Sequence, residues 1–195
     1  NTPAGSEIVW RVNAAATVPM LVDLIEDKSV SPEKLPSYFR AFHFKQSPQK
    51  NQRLLSLLTA DHPQQHLIQA YAVGQLDESF VNSSSHNIRA VKKVLPGIEG
   101  TPEWLTAVKN LKIKGQDKQL FALVASNADL ALRKEAATLL FDSGGGKVVS
   151  DYLKSEAPED SKLQVIEVLG GVNDKNAIDF LKRSLEADKF SYPLM

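Results

Sequence analysis

Asp61, His62 and His66 come nearest, by type and spacing, to a reactive cluster in this chain. Two histidines four apart can share one face of a helix and chelate a metal, with a neighbouring carboxylate as a third ligand. A simpler account is at hand. His62 precedes Pro63 and would lie just outside the helix, its direction set by the cap, so both histidines read as surface residues. Ser143-Gly144-Gly145-Gly146-Lys147 has the look of a phosphate cradle, since glycines expose amides and a helix N-terminus favours anions. A Walker loop, however, follows a strand and continues Lys-Ser/Thr. Here a helical pattern precedes the glycines and Val148 follows the lysine, so the run reads as an inter-helix turn.

Two further groups could bind rather than react. Tyr38, Arg40 and His43 share much of the face opposite Phe39 and Phe42, and are expected to line a concave groove. Tyr and Arg often anchor protein partners. Arg89, Lys92, Lys93, Lys109, Lys112, Lys114 and Lys118 form the one local charge imbalance, set against Glu99, Glu103 and Asp117. Within it Trp104, Lys109 and Lys112 fall near one helical face and offer a foothold for a phosphate or an acidic partner. No Ser/His/Asp set or carboxylate pair can be assembled from spacing alone, so no catalytic residue, metal or cofactor is assigned. The chain has no cysteine, which excludes disulfides, thiolate metal sites and a cysteine nucleophile within it. Basic and acidic residues number 23 each, so no global field recruits nucleic acid or an anionic membrane. No apolar run approaches the roughly 20 residues that span a bilayer.

The elements that must carry these residues are helices throughout. Apolar spacing and proline punctuation predict them over 18–28, 32–44, 48–60, 63–76, 79–94, 102–113, 117–126, 129–142, 147–155, 159–170 and 175–187. Ser31-Pro32, Ser47-Pro48 and Thr101-Pro102 are read as starts in which the hydroxyl caps and proline takes the first helical position. An apolar stripe also runs through Ile8, Val9 and Val12 towards Val18, with Pro19 beginning or kinking a helix. No strand alternation is present.

The sequence also repeats. A shift of 28 residues lays Lys134, Lys147, Asp151, Leu153 and Lys154 on Lys162, Lys175, Asp179, Leu181 and Lys182. The same shift pairs Ala137 with Val165, Leu140 with Val168, Phe141 with Leu169 and Tyr152 with Phe180. Leu21-Val22-Asp23-Leu24-Ile25 is echoed 33 residues later by Leu54-Leu55-Ser56-Leu57-Leu58. Self-similarity at such periods marks stacked helical hairpins.

Asp129-Leu130-Ala131-Leu132-Arg133-Lys134-Glu135-Ala136-Ala137-Thr138-Leu139-Leu140 resembles the second helix of a HEAT repeat. Thr17-Val18-Pro19-Met20-Leu21-Val22-Asp23-Leu24-Ile25 is similar to the first. The resemblance implies scaffold roles: Ala136 and Ala137 allow close helix approach, and Arg133 bridges to an acid of a neighbouring repeat. It departs from the pattern at Ser161, which stands where Arg133 does one repeat earlier. A narrower resemblance links Trp10 to Asp27 and Tyr38-Phe39-Arg40-Ala41-Phe42 to large exported bacterial proteins. Those proteins join a sugar-dehydrogenase-like propeller, HEAT-like repeats and a c-type cytochrome domain. It implies a periplasmic or extracellular setting, with the redox chemistry outside this segment, since no Cys-x-x-Cys-His occurs here.

The expectation is therefore an all-α, right-handed α-solenoid of HEAT-like hairpins, one domain over 1–195 and a piece of a longer chain. Its expected role is a non-catalytic scaffold that contacts another protein or another domain of the same polypeptide. The competing expectation is a nucleic-acid- or anionic-ligand-binding solenoid using the basic residues between Arg89 and Lys118.

Overall fold

The computed structural model describes residues 17–44 and 47–186, with the side chains of 184–186 excepted. The stripe at Ile8, Val9 and Val12, and Trp10, lie outside the described residues. Those residues form twelve α-helices and one 3₁₀ turn, with no strand among them. The helices are α1 (Thr17–Glu26), α2 (Leu35–Phe42), α3 (Lys50–Leu57), α4 (Gln65–Gly74), α5 (Glu78–Asn82) and α6 (Ser85–Ile98). They continue as α7 (Pro102–Asn110), α8 (Asp117–Val124), α9 (Leu130–Asp142), α10 (Gly146–Leu153), α11 (Glu159–Gly170) and α12 (Lys175–Glu186). The helix expected at 79–94 is two, because Ser84 turns extended and its hydroxyl accepts from the Asn87 amide at 3.2 Å, starting α6 anew.

Capping by Thr101 is as expected: its hydroxyl accepts from the Trp104 amide at 3.1 Å, with Pro102 in the first position. Ser31 differs. It makes no side-chain cap, and Pro32 opens only the 3₁₀ turn Pro32–Lys34 before α2. At Ser47-Pro48 the helix itself waits until Lys50, and Ser47 Oγ instead accepts from the Gln49 amide at 3.3 Å.

Contacts divide the chain into two compact units, Asn1–Lys112 and Ile113–Met195. In the first unit α1 packs on α2 and α3, α2 on α4, and α3 on α4. Helix α4 also packs on α6 and α7. Its sequence explains that central place. Apart from His66 it carries no ionisable group but Tyr71, and Ala70, Ala72, Val73 and Gly74 are buried. A β-carbon on Gly74 would sit 3.7 Å from the Glu103 carbonyl oxygen and from Thr106 Cγ2, ordinary van der Waals contact, so α4 faces α7 at this point. The 33-residue echo is a core echo: Leu21, Leu24 and Ile25 are buried, and so are Leu54, Leu57 and Leu58.

In the second unit α9 is central and packs on α8, α11 and α12, while α10 packs on α8. The 28-residue repeat holds in burial, since Ala137 and Val165, Leu140 and Val168, and Phe141 and Leu169 are all buried. It does not hold in contacts. Tyr152 meets Phe121 of α8, ring centroids 5.0 Å apart, whereas its counterpart Phe180 meets Phe141 of α9 at 5.4 Å. Ala136 and Ala137 are fully buried, as close helix approach requires. Arg133 departs from its expected bridge to an acid: its Nε donates to the Val124 carbonyl at 2.9 Å. It thus satisfies a free carbonyl at the end of α8, where a cation also suits the helix dipole.

Candidate binding cleft

In the first unit the segment just past α3, Leu58 and Thr59, lines an open cleft of about 560 Å³ together with α4 and α6. Its construction begins at the corner where α3 ends. Leu58 is buried there, and its carbonyl, past the last turn of α3, accepts from Gln69 Nε2 at 2.8 Å and from Gln65 Nε2 at 3.4 Å. Both glutamines come from the first turns of α4, so they pin the two helices together and present their polar ends to the cleft. Leu58, Ala90 and Val94 give it apolar surface, and Thr59, His66 and Lys93 add polar groups. Gly97 lines it too, and a β-carbon there would meet nothing within 4 Å.

The electrostatics are one-sided. Helices α3, α4 and α6 contain no Asp or Glu, yet carry Lys50, Arg53, Arg89, Lys92 and Lys93. The acids in the adjoining loops are largely engaged elsewhere. Asp61 pairs with Lys28 at 2.8 Å, and that hydrogen bond and charge hold its carboxyl below the usual aspartate range. Asp77 accepts from Asn51 Nδ2 at 2.7 Å and lies 3.7 Å from Lys50 Nζ. Glu78 pairs with Lys112 at 2.8 Å. Glu99, exposed just beyond α6, has no such partner among the described residues. Arg89, Lys92 and Lys93 are exposed and make no ion pair among the described residues.

The groups nominated from sequence are redistributed. Tyr38 is buried beside Phe39 and Phe42 in the core rather than on a groove, while Arg40 and His43 are exposed. The three therefore do not form a shared binding face. His43 sits at the end of α2, its Nε2 2.9 Å from Gln75 Nε2. Trp104 is fully buried, and its Nε1 has no hydrogen-bond partner. It therefore cannot lend an aromatic surface to Lys109, which is exposed in the last turn of α7. Lys112 is past the end of α7 in the left-handed region, φ +49°, so it does not continue the face of Lys109. Of the wider basic run, Lys114 and Lys118 belong to the second unit.

The left-handed turn at Lys112 yields a stability prediction. Glycine takes that conformation freely, whereas a side chain is strained by about 1 kcal/mol. The Glu78 pair is worth less, because Lys112 Nζ is well exposed. Lys112→Gly is expected to raise stability by about 0.5 kcal/mol, read as a higher urea midpoint at unchanged slope.

His62 and His66 also part company. His62 is 7% exposed, not a surface residue, and its Nδ1 accepts from the Gln64 amide at 3.0 Å. That bond orients the ring in the turn before α4, whose N-cap Gln64 has no side-chain cap, and puts the proton of the neutral ring on Nε2. Nε2 is buried without a partner. His66 is exposed on the cleft. Among the described residues no group of three or more His, Cys, Asp or Glu could hold a metal ion.

The glycine triplet is a helix stop. Gly144 has φ +85°, its amide donates to Phe141 at 3.0 Å, and the Gly145 amide donates to Leu140 at 2.8 Å, a Schellman closure of α9. These two amides are thereby committed to the backbone.

Sequence reasoning missed the cleft, although two of its nominated stretches, the His62–His66 cluster and the Arg89–Lys93 bases, converge there through His66 and Lys93. A signal was present in that α3, α4 and α6 carry no Asp or Glu, although α5 between them begins at Glu78. No helix among the described residues is long and apolar enough to cross a membrane. Comparison with protein-family models, with curated proteins and with solved structures finds no match.

Proposed function

We propose that this chain is a non-catalytic scaffold of HEAT-like helical hairpins, stacked as a right-handed solenoid, which holds another protein or another domain of the same polypeptide. The observation that carries the reading is a set of polar ties between elements about one repeat apart in the first unit. Lys28 reaches Asp61, His43 reaches Gln75 and Lys112 reaches Glu78, at separations of 33, 32 and 34 residues. The packing of α1 on α3, α2 on α4 and α4 on α7 follows the same period. Ties and packing of this kind between successive units are what a hairpin array uses in place of one closed core. The exported bacterial parent, with its redox chemistry on flanking domains, belongs to the same proposal.

Two measurements test it. A compact globule of this length has a radius of gyration near 16 Å, and a solenoid exceeds it in small-angle scattering. Cross-linking of the intact chain in its host is expected to return one reproducible partner or flanking domain. Deleting the α1–α2 hairpin then weakens that affinity in proportion to the surface lost. A compact scattering profile, or turnover of a small substrate by the isolated chain, would overturn the reading.

A further inference from the structure

We infer that the cleft lined by Leu58–Thr59, α4 and α6 is the seat of an acidic, amphipathic peptide segment of a partner protein, an inference that rests on the scaffold reading. Three observations lead to that occupant. The lining is one-sided in charge: Lys93 is its single lysine or arginine and no Asp or Glu stands in it. Arg89 and Lys92, on the same helix but outside the lining, are exposed and make no ion pair among the described residues. Of the acids in the adjoining segments, Asp61 and Glu78 are paired with Lys28 and Lys112, which leaves Glu99, just beyond α6, as the exposed carboxylate without an ion pair among the described residues. A ligand carrying carboxylates meets that excess, and charge complementarity of this kind sets partner choice and encounter rate.

The lining itself decides what lies between the carboxylates. Leu58, Ala90 and Val94 present apolar surface at the cleft. An apolar side chain placed there removes both surfaces from water, as in the docking of amphipathic segments into helical grooves. Gln65 and Gln69 Nε2 already donate to the Leu58 carbonyl and Thr59 Oγ1 to the Ser56 carbonyl, so what these side chains offer a peptide is chiefly acceptor oxygens for its backbone N–H groups. His66 and Lys93, both in the lining, are the groups to face the flanking acids.

Nucleic acid fits the same cations less well. Single strands are held by aromatic platforms on which bases stack, and no Phe, Tyr or Trp lines the cleft. A backbone-tracking groove also needs a succession of cations, and within the lining Lys93 is the single lysine or arginine.

Selection of random displayed dodecapeptides against the intact chain tests the assignment, followed by anisotropy titration of one synthesised winner. Enriched peptides are expected to place Asp or Glu around one or two apolar residues. Lys93→Glu is expected to weaken the winner about tenfold, and more at low salt than at high. Gly97→Leu is expected to weaken it by a similar factor by filling the cleft. A β-carbon there meets nothing within 4 Å, and leucine favours the helix over glycine, so circular dichroism should show an intact fold. Lys34→Glu, on the exposed turn before α2, is the charge control and leaves affinity unchanged. Enriched peptides without acids, or binding indifferent to both cleft substitutions, overturns the inference. Lys93-dependent binding of random single-stranded oligonucleotides in preference to peptide overturns it in favour of nucleic acid. If peptides fail while cross-linking still finds a partner on another face, the cleft assignment falls and the scaffold reading stands.

Discussion

Trp104→Ala is expected to cost about 3–5 kcal/mol, a large part of the stability of an ordinary domain. Trp104 is the largest fully buried side chain in the chain's described core, and it stands on α7, which packs on α4. Truncation removes the apolar area of the indole and leaves a cavity where a fully buried side chain stood. Trp104→Phe separates packing from polarity. The buried Nε1 has no partner, so the phenyl ring loses some volume while removing an unsatisfied N–H. Its cost is expected to be well below that of alanine, about 1–2 kcal/mol. Urea titrations of the three proteins decide the matter. An alanine variant within about 1 kcal/mol of the parent would show that the tryptophan is not a packed core residue.

Gly145→Val is expected to destabilise the second unit by about 2–3 kcal/mol, through overpacking at the stop of α9. A β-carbon on Gly145 would overlap Leu140 Cδ1 and come within 2.9 Å of the Leu140 carbonyl oxygen. Leu140 is fully buried and that same carbonyl accepts the Gly145 amide, so neither the side chain nor the backbone can withdraw without breaking the closure of α9. The neighbouring Gly144→Ala should cost about 1 kcal/mol from its left-handed φ alone, with open space around the added atom. The ordering of the two costs in chemical denaturation is the readout. Equal effects would mean that conformation, not contact, governs the triplet.

Both results bear on how the turn was read. Repetition and the missing Ser/Thr after Lys147 were enough to mark Ser143–Lys147 as a connection between helices, because helix stops are local and glycine is their usual material. The tight contact of Gly145 with Leu140 has no sequence signature. The same limit appears at Tyr38 and Trp104. Their helices were placed correctly, but partners and grooves were assigned to faces that the core consumes. His62 shows the reverse error, a residue expected at the surface that is 7% exposed.

Residue order by itself determined the all-helical character, most helix positions, the Thr101 start and the glycine stop, since each depends on hydrogen bonds and apolar spacing within a few residues. The Ser84 start lay in the sequence too, as a hydroxyl three residues before Asn87, but was read through. Tertiary packing alone decided which apolar face meets which. It placed α12 on α9 and α11, divided the contacts after Lys112, and brought Leu58–Thr59, α4 and α6 around one cleft. The physical reason is that burial is a property of pairs of helices. A stripe of leucines promises that something will cover it, and only the folded neighbours determine what does.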